Sequence, residues 1–396
     1  MNKLFSNLSI LVRKPVVKVV SKPTPMTFIG PGSAGEVGRL LDLADIKKVF
    51  VLTDHFLYTS GLLGGILQSI KEHNIEAVIY DGVTPDPTFT VVAEAQKACG
   101  DCQAIVAVGG GSVLDTAKAV AASVANGKEA RALVGMLKVR RYPLLCIAIP
   151  TTSGTGSETT IAAIISDPET HGKKQLLDPK LVPMLAILDP DLTVGLPKSS
   201  TAFTTFDALT HALEAYVSGY ADEDSRRRAR MAIKGIYRNL PIVMQNPADV
   251  KAREGLLEAS FLAGTAFTRT YVGYVHAFAH NIGGKFGIPH GLANAVLLPH
   301  VMQYYTVRCW REFSEIAIML GITGGSSIDR ANRFVESIYT LAEECGIPAR
   351  FEAFPKAAID EVIVDAFKEC HGVYPVPRYY TRSTARELLE KVCREA

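Results

Sequence analysis

The chain has 396 residues, of which 48% are hydrophobic and 21% are charged. This composition is ordinary for a globular protein and leaves room for two domains of roughly 100–200 residues each. The 42 basic and 40 acidic residues give a formal net charge of +2, so no overall field favours nucleic acid or an anionic membrane surface as a partner. No segment reaches the roughly 18 apolar residues of a membrane-spanning helix. We therefore expect a soluble protein.

Seven cysteines are scattered along the chain. An odd number at irregular spacing is unlike a disulfide framework and favours a reducing compartment, the cytoplasm. Cys99 and Cys102 form a C-x-x-C pair, which could be redox-active or bind zinc. No second pair follows at the spacing of a zinc ribbon, so we interpret both as structural thiols.

Residues 1–22 form an N-terminal extension. The first twenty contain no acidic residue and could be mistaken for a targeting peptide. Their apolar run is short and is interrupted by polar residues such as Ser6 and Arg13, and no small-residue cleavage site follows. We expect a short amphipathic segment that packs on the first domain, or one that is partly disordered.

Residues 23–195 alternate short apolar runs with amphipathic segments. The candidate strands are Met26–Ile29, Lys48–Leu52, Ala77–Tyr80, Ala104–Val108, Leu144–Ile149 and Met184–Leu188. The helical patterns between them lie near 33–42, 60–73, 88–99 and 112–126. This alternation predicts a dinucleotide-binding α/β domain with a mostly parallel, Rossmann-like sheet, in which ligand-binding loops follow the carboxyl ends of the strands.

Residues 196–396 have a different pattern, which begins after the turn-rich stretch DPDLTVGLPKSS. Strand-like runs disappear, and Pro or Gly separates segments of helical period. The predicted helices are 201–218, 224–240, 248–267, 271–283, 291–305, 309–320, 326–345, 355–370 and 380–394. We therefore predict an all-helical C-terminal domain.

The strand predicted at Ala104–Val108 runs directly into GGGS at 109–112, and a helix starts at Val113. Glycines let the backbone approach a phosphate closely, and the N–H groups at a helix start favour an anion. A tight strand-to-helix turn would also use glycine, and neither a P-loop nor a G-x-G-x-x-G form is present. The order of strand, glycines and helix favours a phosphate-binding loop.

Two further features follow predicted strands. The loop PTTSGTGSE at 150–158 carries hydroxyls and glycines that could bind a ribose, an amide or a phosphate, although an ordinary polar loop is the alternative. Asp54 follows the strand Lys48–Leu52. Its carboxylate could bind the ribose hydroxyls of an adenosine and repel a 2′-phosphate, or it could cap the next helix. Spacing alone leaves both roles open.

Four of the nine histidines fall between residues 276 and 300. Two pairs of candidate ligands are four residues apart in helical segments, so each pair shares a helix face: Asp207 with His211, and His276 with His280. His290 lies beyond a Gly-Gly break, where a turn can fold it back, and His300 is a further candidate. Imidazoles with one carboxylate suit Fe(II) or Zn(II) rather than calcium or magnesium. The cluster therefore predicts a metal site.

These residues resemble the iron-containing (group III) alcohol dehydrogenases. The resemblance spans residues 22–396 and runs through four ordered motifs: GGGSVLDTAK at 109–118, PTTSGTGSE at 150–158, FDALTHALEAY at 206–216 and HAFAHNIGGKFGIPHGLANAVLLPHVM at 276–302. Four motifs in matching order are far more specific than any one alone. The resemblance implies an NAD-dependent alcohol dehydrogenase that binds Fe(II), with Zn(II) as an alternative ion, and that assembles as a homodimer or larger homo-oligomer.

The resemblance also implies a role for each matching residue. The metal ligands would be Asp207, His211, His276 and His290. His280 would lie unligated beside the substrate and the nicotinamide, where it could pass the hydroxyl proton to solvent, and Phe267 would line the substrate pocket. The cofactor-binding residues would be Gly110, Gly111, Ser112, Asp115, Thr151, Thr152, Thr155, Ser157, Thr160 and Lys173. Aspartate at position 54 is typical of members that use NAD, whereas NADP users tend to have glycine there.

One stretch departs from the family pattern. Members often carry small residues between Phe267 and His276, whereas this chain has Arg269, Tyr271 and Tyr274 there. These side chains narrow the pocket or pack away from it. If Arg269 bound a substrate carboxylate, the chain would be a hydroxyacid–oxoacid transhydrogenase; a polyol dehydrogenase is a more distant alternative.

A protein of another class, a catalytically silent metal- or nucleotide-binding protein, would have no chemical need for both His280 and the full ligand set. We therefore predict reversible hydride transfer between a primary or small alcohol and NAD. The substrate is a small molecule, and the sequence predicts no nucleic-acid or membrane partner.

Overall fold

The computed structural model describes residues 10, 12, 14, 23–169 and 172–394. The chain divides into two compact units, which we call the α/β unit and the helical unit. The α/β unit comprises residues 20–196 and 248–261, and the helical unit comprises residues 1–19, 197–247 and 262–396. Residues 248–261 thus belong with the α/β unit, although their sequence pattern placed them in the helical domain.

A six-stranded sheet forms the centre of the α/β unit. Its strands are β1 Met26–Ile29, β2 Lys48–Leu52, β3 Glu76–Tyr80, β4 Ala104–Gly109, β6 Leu145–Pro150 and β9 Leu185–Leu188, in the order β1-β9-β6-β4-β2-β3. Every neighbouring pair is parallel. The predicted parallel sheet is therefore confirmed, and each predicted strand lies within one or two residues of its observed bounds.

The sheet is covered on both faces, as its nearly continuous apolar strands require. The surrounding helices are α1 Val37–Leu43, α2 His55–Thr59, α3 Gly64–Glu72, α4 Phe89–Cys99 and α5 Gly111–Asn126. Alternate residues of each strand enter separate cores: Phe50 and Ile105 pack in a cluster with residues of α4 and α5, whereas Val51 and Val106 pack in a cluster with residues of α1 and α3. This alternation follows from the two-residue period of a strand.

A second, three-stranded sheet has no counterpart in the sequence analysis. It contains β5 Gly135–Met136, β7 Ala162–Ser166 and β8 Lys173–Leu177, in the order β5-β8-β7. The β7–β8 pair is antiparallel. Sequence patterning missed this sheet because β5 has two residues and β8 begins with three polar ones.

The C-terminal half is helical, as predicted. Its helices are α6 Lys198–Val217, α7 Glu223–Gln245, α8 Val250–Phe267, α9 Tyr274–Phe286, α10 His290–Met319, α11 Ser327–Glu344, α12 Ile359–Cys370 and α13 Arg382–Val392. The two helices predicted at 291–305 and 309–320 are the two parts of α10, which meet at a kink where Cys309 has non-helical dihedral angles. Within the described part of the chain, no helix is both long and apolar enough to cross a bilayer.

The N-terminal extension predicted at residues 1–22 lies outside the described residues except at three positions. The Ile10 carbonyl accepts a hydrogen bond of 2.8 Å from the Tyr220 hydroxyl, and Lys14 Nζ donates to the Gly219 carbonyl. Both partners belong to the helical unit. The expectation that the extension packs on the α/β domain is therefore wrong for these positions.

Candidate functional site

Three helices of the helical unit bring the candidate metal ligands together. Asp207 lies on α6, His276 on α9, and His290 is the first residue of α10. Each of these residues offers a ligand atom, and the three atoms lie within 4.8 Å of one another. The turn that precedes α10 thus returns the chain to the α6–α9 pair, as the Gly-Gly break suggested.

The donor set fits a metal ion. Asp207 Oδ1 lies 3.5 Å from His276 Nε2 and 3.4 Å from His290 Nε2. His276 Nε2 is buried and donates or accepts no hydrogen bond within the described part of the chain. A buried nitrogen without a hydrogen-bond partner destabilises the fold. A role as metal ligand therefore better explains why His276 Nε2 faces the Asp207 carboxylate. Two imidazoles and one carboxylate suit Fe(II) or Zn(II).

His211 lies beside this group, one helical turn after Asp207 on α6. Its Nδ1 is 3.9 Å from Asp207 Oδ1, and its ring stacks on that of His276 with a centroid distance of 4.5 Å. The Phe267 ring also stacks on the His211 ring, with a centroid distance of 4.0 Å. His211 thus lies beside the metal group but is not one of the three residues whose ligand atoms lie within 4.8 Å of one another, and Phe267 supports its ring from the end of α8.

Glu214 was missed by the sequence analysis and holds His276 in place. Its buried carboxylate lies 2.7 Å from His276 Nδ1 and accepts hydrogen bonds from the backbone N–H groups of Gly273 and Val275. A Cβ at Gly273 would lie 2.7 Å from Glu214 Oε1, so only glycine allows this close approach. A carboxylate on Nδ1 fixes the ring and leaves Nε2 as the ligand atom.

The electrostatics agree with a cation site. Burial alone would raise the pKa of the Asp207 carboxyl, but the neighbouring imidazoles of His211, His276 and His290 hold it well below its ordinary value. Burial likewise lowers the pKa of His276, yet Asp207 and Glu214 outweigh this effect and raise it to about 9. Asp207 is consequently a buried, ionised carboxylate, and a cation that neutralises it would favour this arrangement.

His280 lies next to the candidate metal group. Its ring stacks on that of His290 with a centroid distance of 5.2 Å and meets the His276 ring edge-on at 5.7 Å. Its Nδ1 lies 2.7 Å from Glu369 Oε1 on α12. His280 is thus close to the group of Asp207, His276 and His290, but it is not one of the three residues whose ligand atoms lie within 4.8 Å of one another.

In the α/β unit, the two polar loops follow neighbouring strands. β4 and β6 are paired up to Gly109 and Pro150, and the Thr151 N–H donates to the Gly109 carbonyl. The loops GGGS at 109–112 and PTTSGTGSE at 150–158 therefore lie side by side at the carboxyl edge of the sheet. A Cβ at Gly111, the first residue of α5, would lie 2.6 Å from Thr155 Cγ2. Glycine is required there because the loops pack directly against each other.

A network behind these loops includes three of the predicted cofactor residues. Ser157 Oγ donates to Asp115 Oδ1, and Asp115 Oδ2 accepts from the Ile164 N–H. The buried Lys118 lies 3.0 Å from Asp115 Oδ1 and donates to Thr160 Oγ1 and to the Ser157 carbonyl. Sequence reasoning missed Lys118, although it stands three residues after Asp115 in the first motif. These contacts fix the shape of the second loop.

Asp54 follows β2, which pairs with β4, so it stands at the same edge of the sheet as the two loops. Its Oδ1 accepts from the Leu57 N–H and caps α2. The capping role is therefore present, and it leaves the second carboxylate oxygen for other partners. Lys173 begins β8, where its Nζ lies 2.9 Å from Asp86 Oδ1.

Two features that suggested other chemistry have structural explanations. Arg269 forms an ion pair of 2.6 Å with Asp224 on α7, and Tyr274 is fully buried among aromatic rings, so both pack into the helical unit. Burial raises the pKa of Cys99 to about 12 and also raises that of Cys102. A reactive C-x-x-C motif needs a lowered pKa, so this pair is structural.

Comparison with known proteins identifies the family. Residues 23–190 match the family model for iron-containing alcohol dehydrogenase, and residues 201–393 match the C-terminal model of the Fe-containing alcohol dehydrogenase family. A solved structure of a 1,3-propanediol oxidoreductase is similar with a TM-score of 0.89 and 34% identity, and the match covers 93% of this chain and 98% of that one.

Curated relatives agree with the models. The chain is 36% identical over 331 residues to the NAD-dependent methanol dehydrogenase of Bacillus methanolicus, and this match covers 83% of the chain and 87% of the relative. It is 37% identical over 329 residues to the 1,3-propanediol dehydrogenase of Klebsiella pneumoniae, and this match covers 82% of the chain and 85% of that relative. The chain belongs to the iron-containing alcohol dehydrogenase family.

Proposed function

We propose that the protein is an NAD-dependent alcohol dehydrogenase whose metal is Fe(II), with Zn(II) as the alternative ion. It oxidises a primary or small alcohol to the aldehyde or ketone while a hydride passes to NAD, and it catalyses the reverse reaction. The main support is the group formed by the buried Asp207 and His276 and the half-buried His290 in a chain of this family. A relative named as NAD-dependent supports NAD as the cofactor.

In the proposed site, Asp207, His211, His276 and His290 would hold the metal ion, which would act as a Lewis acid and lower the pKa of the substrate hydroxyl. His280 receives the hydroxyl proton and passes it to solvent; its side chain is 27% exposed, which allows that exchange. Phe267 lines the substrate pocket.

The cofactor is held by the loops of the α/β unit. Gly110, Gly111 and Ser112 bind the pyrophosphate through the N–H groups at the start of α5. The residues proposed along the adenosine and nicotinamide are Thr151, Thr152, Thr155, Ser157 and Thr160, with Lys173 at a ribose. Because the hydroxyls of Ser157 and Thr160 already bond to Asp115 and Lys118, we assign them the additional role of holding the loop in shape.

Loss of the Asp54 charge should relax cofactor preference. We expect Asp54→Asn and Asp54→Gly to raise kcat/KM with NADP at least about tenfold, because a carboxylate near a 2′-phosphate repels it by a kcal/mol or more. Asn retains the cap of α2, so it separates loss of charge from loss of the cap. Initial rates with NAD and NADP check this. An unchanged NAD/NADP ratio in both variants would remove Asp54 from cofactor selection.

The alternative of a hydroxyacid–oxoacid transhydrogenase is not favoured, because Arg269 is occupied by Asp224. A screen of purified protein across alcohols, with Fe(II) and Zn(II) tested separately, decides the matter. We expect NADH formation from simple alcohols and none from 4-hydroxybutyrate. Oxidation of 4-hydroxybutyrate that requires an added oxoacid and releases no NADH would support the transhydrogenase.

The proposed enzyme is a cytoplasmic homodimer. All seven cysteines are buried free thiols, which supports a reducing compartment. β1 is an edge strand that pairs only with β9 among the described residues, and it exposes Met26 and Ile29. An open strand edge of this kind is a surface on which a second copy can pair. Light scattering should give about twice the 42.7 kDa chain mass, and a single-chain mass would contradict the dimer.

A further inference from the structure

Glu369 on α12 is surrounded by hydrogen-bond donors at the proposed active site. Its Oε1 lies 2.7 Å from His280 Nδ1 and accepts a hydrogen bond of 2.7 Å from the Tyr374 hydroxyl. Its Oε2 accepts from Asn281 Nδ2 at 3.1 Å. Both carboxylate oxygens are therefore engaged, and the carboxylate has a fixed orientation toward the imidazole.

Tyr374 belongs to the turn that follows α12. The Tyr374 N–H donates to the Cys370 carbonyl, and Gly372 has a φ of 77°. This turn folds the chain back, so that the Tyr374 hydroxyl reaches the last turn of α12. Tyr374 is 5% exposed, and burial together with Glu369 holds the pKa of its hydroxyl well above the ordinary value. Tyr374 is consequently a neutral and permanent donor to Glu369.

The protonation of the pair follows from its chemistry. An ionised carboxylate only accepts hydrogen bonds, so the 2.7 Å contact requires a hydrogen on Nδ1 of His280. A neutral His280 is then the Nδ1–H tautomer, and Nε2 is the nitrogen with a free lone pair. Without such a partner, a neutral imidazole can carry its hydrogen on either ring nitrogen. The carboxylate thus selects the ring nitrogen that can exchange a proton.

We propose that Glu369, supported by Tyr374, is a positioning residue that fixes the tautomer and ring orientation of His280 for proton transfer. The effect on proton transfer rests on the proposed function, but the tautomer of His280 does not depend on any activity. Glu369 orients His280 as Glu214 orients His276, because each carboxylate lies against the Nδ1 of its imidazole. Glu214 is buried and Glu369 is half-buried. The two histidines are one helical turn apart on α9, so one helix carries both oriented rings.

A purely structural role is the rival explanation, since Glu369 links α9 to α12 through Asn281. The chain offers a matched control for such a link: Glu361, also on α12, forms an ion pair with Lys285 on α9. Glu361→Ala removes a contact between the same two helices without touching His280. Effects specific to positioning must therefore occur in Glu369 variants and not in Glu361→Ala.

The test is the ring ¹⁵N spectrum of His280 in histidine-labelled, Zn(II)-loaded enzyme, with His280→Asn used to identify the signals. We expect wild type and Glu361→Ala to show the Nδ1–H tautomer. Glu369→Gln should retain it, because the amide oxygen still accepts from Nδ1–H, whereas Glu369→Leu should lose it. Tyr374→Phe removes one hydrogen-bond donor to Glu369. It should retain the Nδ1–H tautomer and change the ¹⁵N shifts of His280 less than Glu369→Leu does.

Steady-state kinetics form the second readout. We expect Glu369→Leu to lower kcat about 10- to 100-fold with KM for NAD unchanged, the size typical of losing a residue that orients a site histidine. Glu369→Gln should recover most of kcat. A wild-type His280 tautomer in Glu369→Leu, or equal losses of kcat in the Leu and Gln variants, would overturn the proposal. Absence of alcohol oxidation in the wild type would instead contradict the proposed function and leave the tautomer result to decide this inference.

Discussion

Replacing His276 by alanine should abolish stoichiometric metal binding and lower kcat/KM for alcohol oxidation by about 10³-fold or more. His276 Nε2 is the buried nitrogen that faces Asp207 without a hydrogen bond of its own among the described residues, so its loss removes a ligand from the centre of the group. A Lewis acid contributes several kcal/mol to such a reaction, and each 1.4 kcal/mol corresponds to a factor of ten.

Elemental analysis of the purified variant, together with initial rates of NADH formation, measures both effects. His300→Ala is a suitable control, because His300 lies on α10 and bonds to Tyr339 outside the metal group. That variant should bind metal normally. Full metal occupancy and unchanged turnover in His276→Ala would remove these residues from the metal site.

The second large effect is expected for Glu214. Glu214→Ala leaves three buried donors, on Gly273, Val275 and His276, without their acceptor. Each unsatisfied buried donor costs about 1–3 kcal/mol, so we expect the free energy of unfolding to fall by about 3 kcal/mol or more. Metal affinity should fall about 10- to 100-fold, because the His276 ring is no longer oriented.

Urea unfolding and metal titration separate the two consequences. Glu214→Gln keeps one acceptor oxygen and should lose less stability than Glu214→Ala. Glu223→Ala, on the exposed start of α7, should change neither quantity appreciably. If Glu214→Ala bound metal as tightly as the wild type, the carboxylate would have no orienting role.

Local sequence patterns predicted the central sheet and the two residue pairs at the candidate metal site for clear physical reasons. The strands of the parallel sheet are buried on both faces and therefore appear as nearly continuous apolar runs, such as Ala104–Val108. Asp207 and His211, and likewise His276 and His280, are four residues apart, and helix geometry alone places each pair on one face. The meeting of the two pairs and of His290 required tertiary contacts, and the resemblance supplied that expectation.

The residues that orient the site were less accessible to sequence reasoning. Glu214 stands three residues after His211 and seven after Asp207, so helix periodicity would have placed it on the same face. Glu369 offers no such signal, because it is 89 residues away from His280 and meets it only through the packing of α12 on α9. Lys118 was hidden for another reason: a lysine three residues after an aspartate usually indicates an exposed ion pair, whereas the Lys118 side chain is buried.

The reaction itself offers the most direct test of metal-dependent alcohol oxidation. NADH formation from a small alcohol and NAD should be measured for protein stripped with a chelator, and again after reloading with Fe(II) or Zn(II). We expect the stripped protein to retain less than about 1% of the activity, because it lacks a Lewis acid worth several kcal/mol, and one equivalent of metal per chain to restore turnover. Full activity in protein that elemental analysis shows to be metal-free would contradict the proposed function.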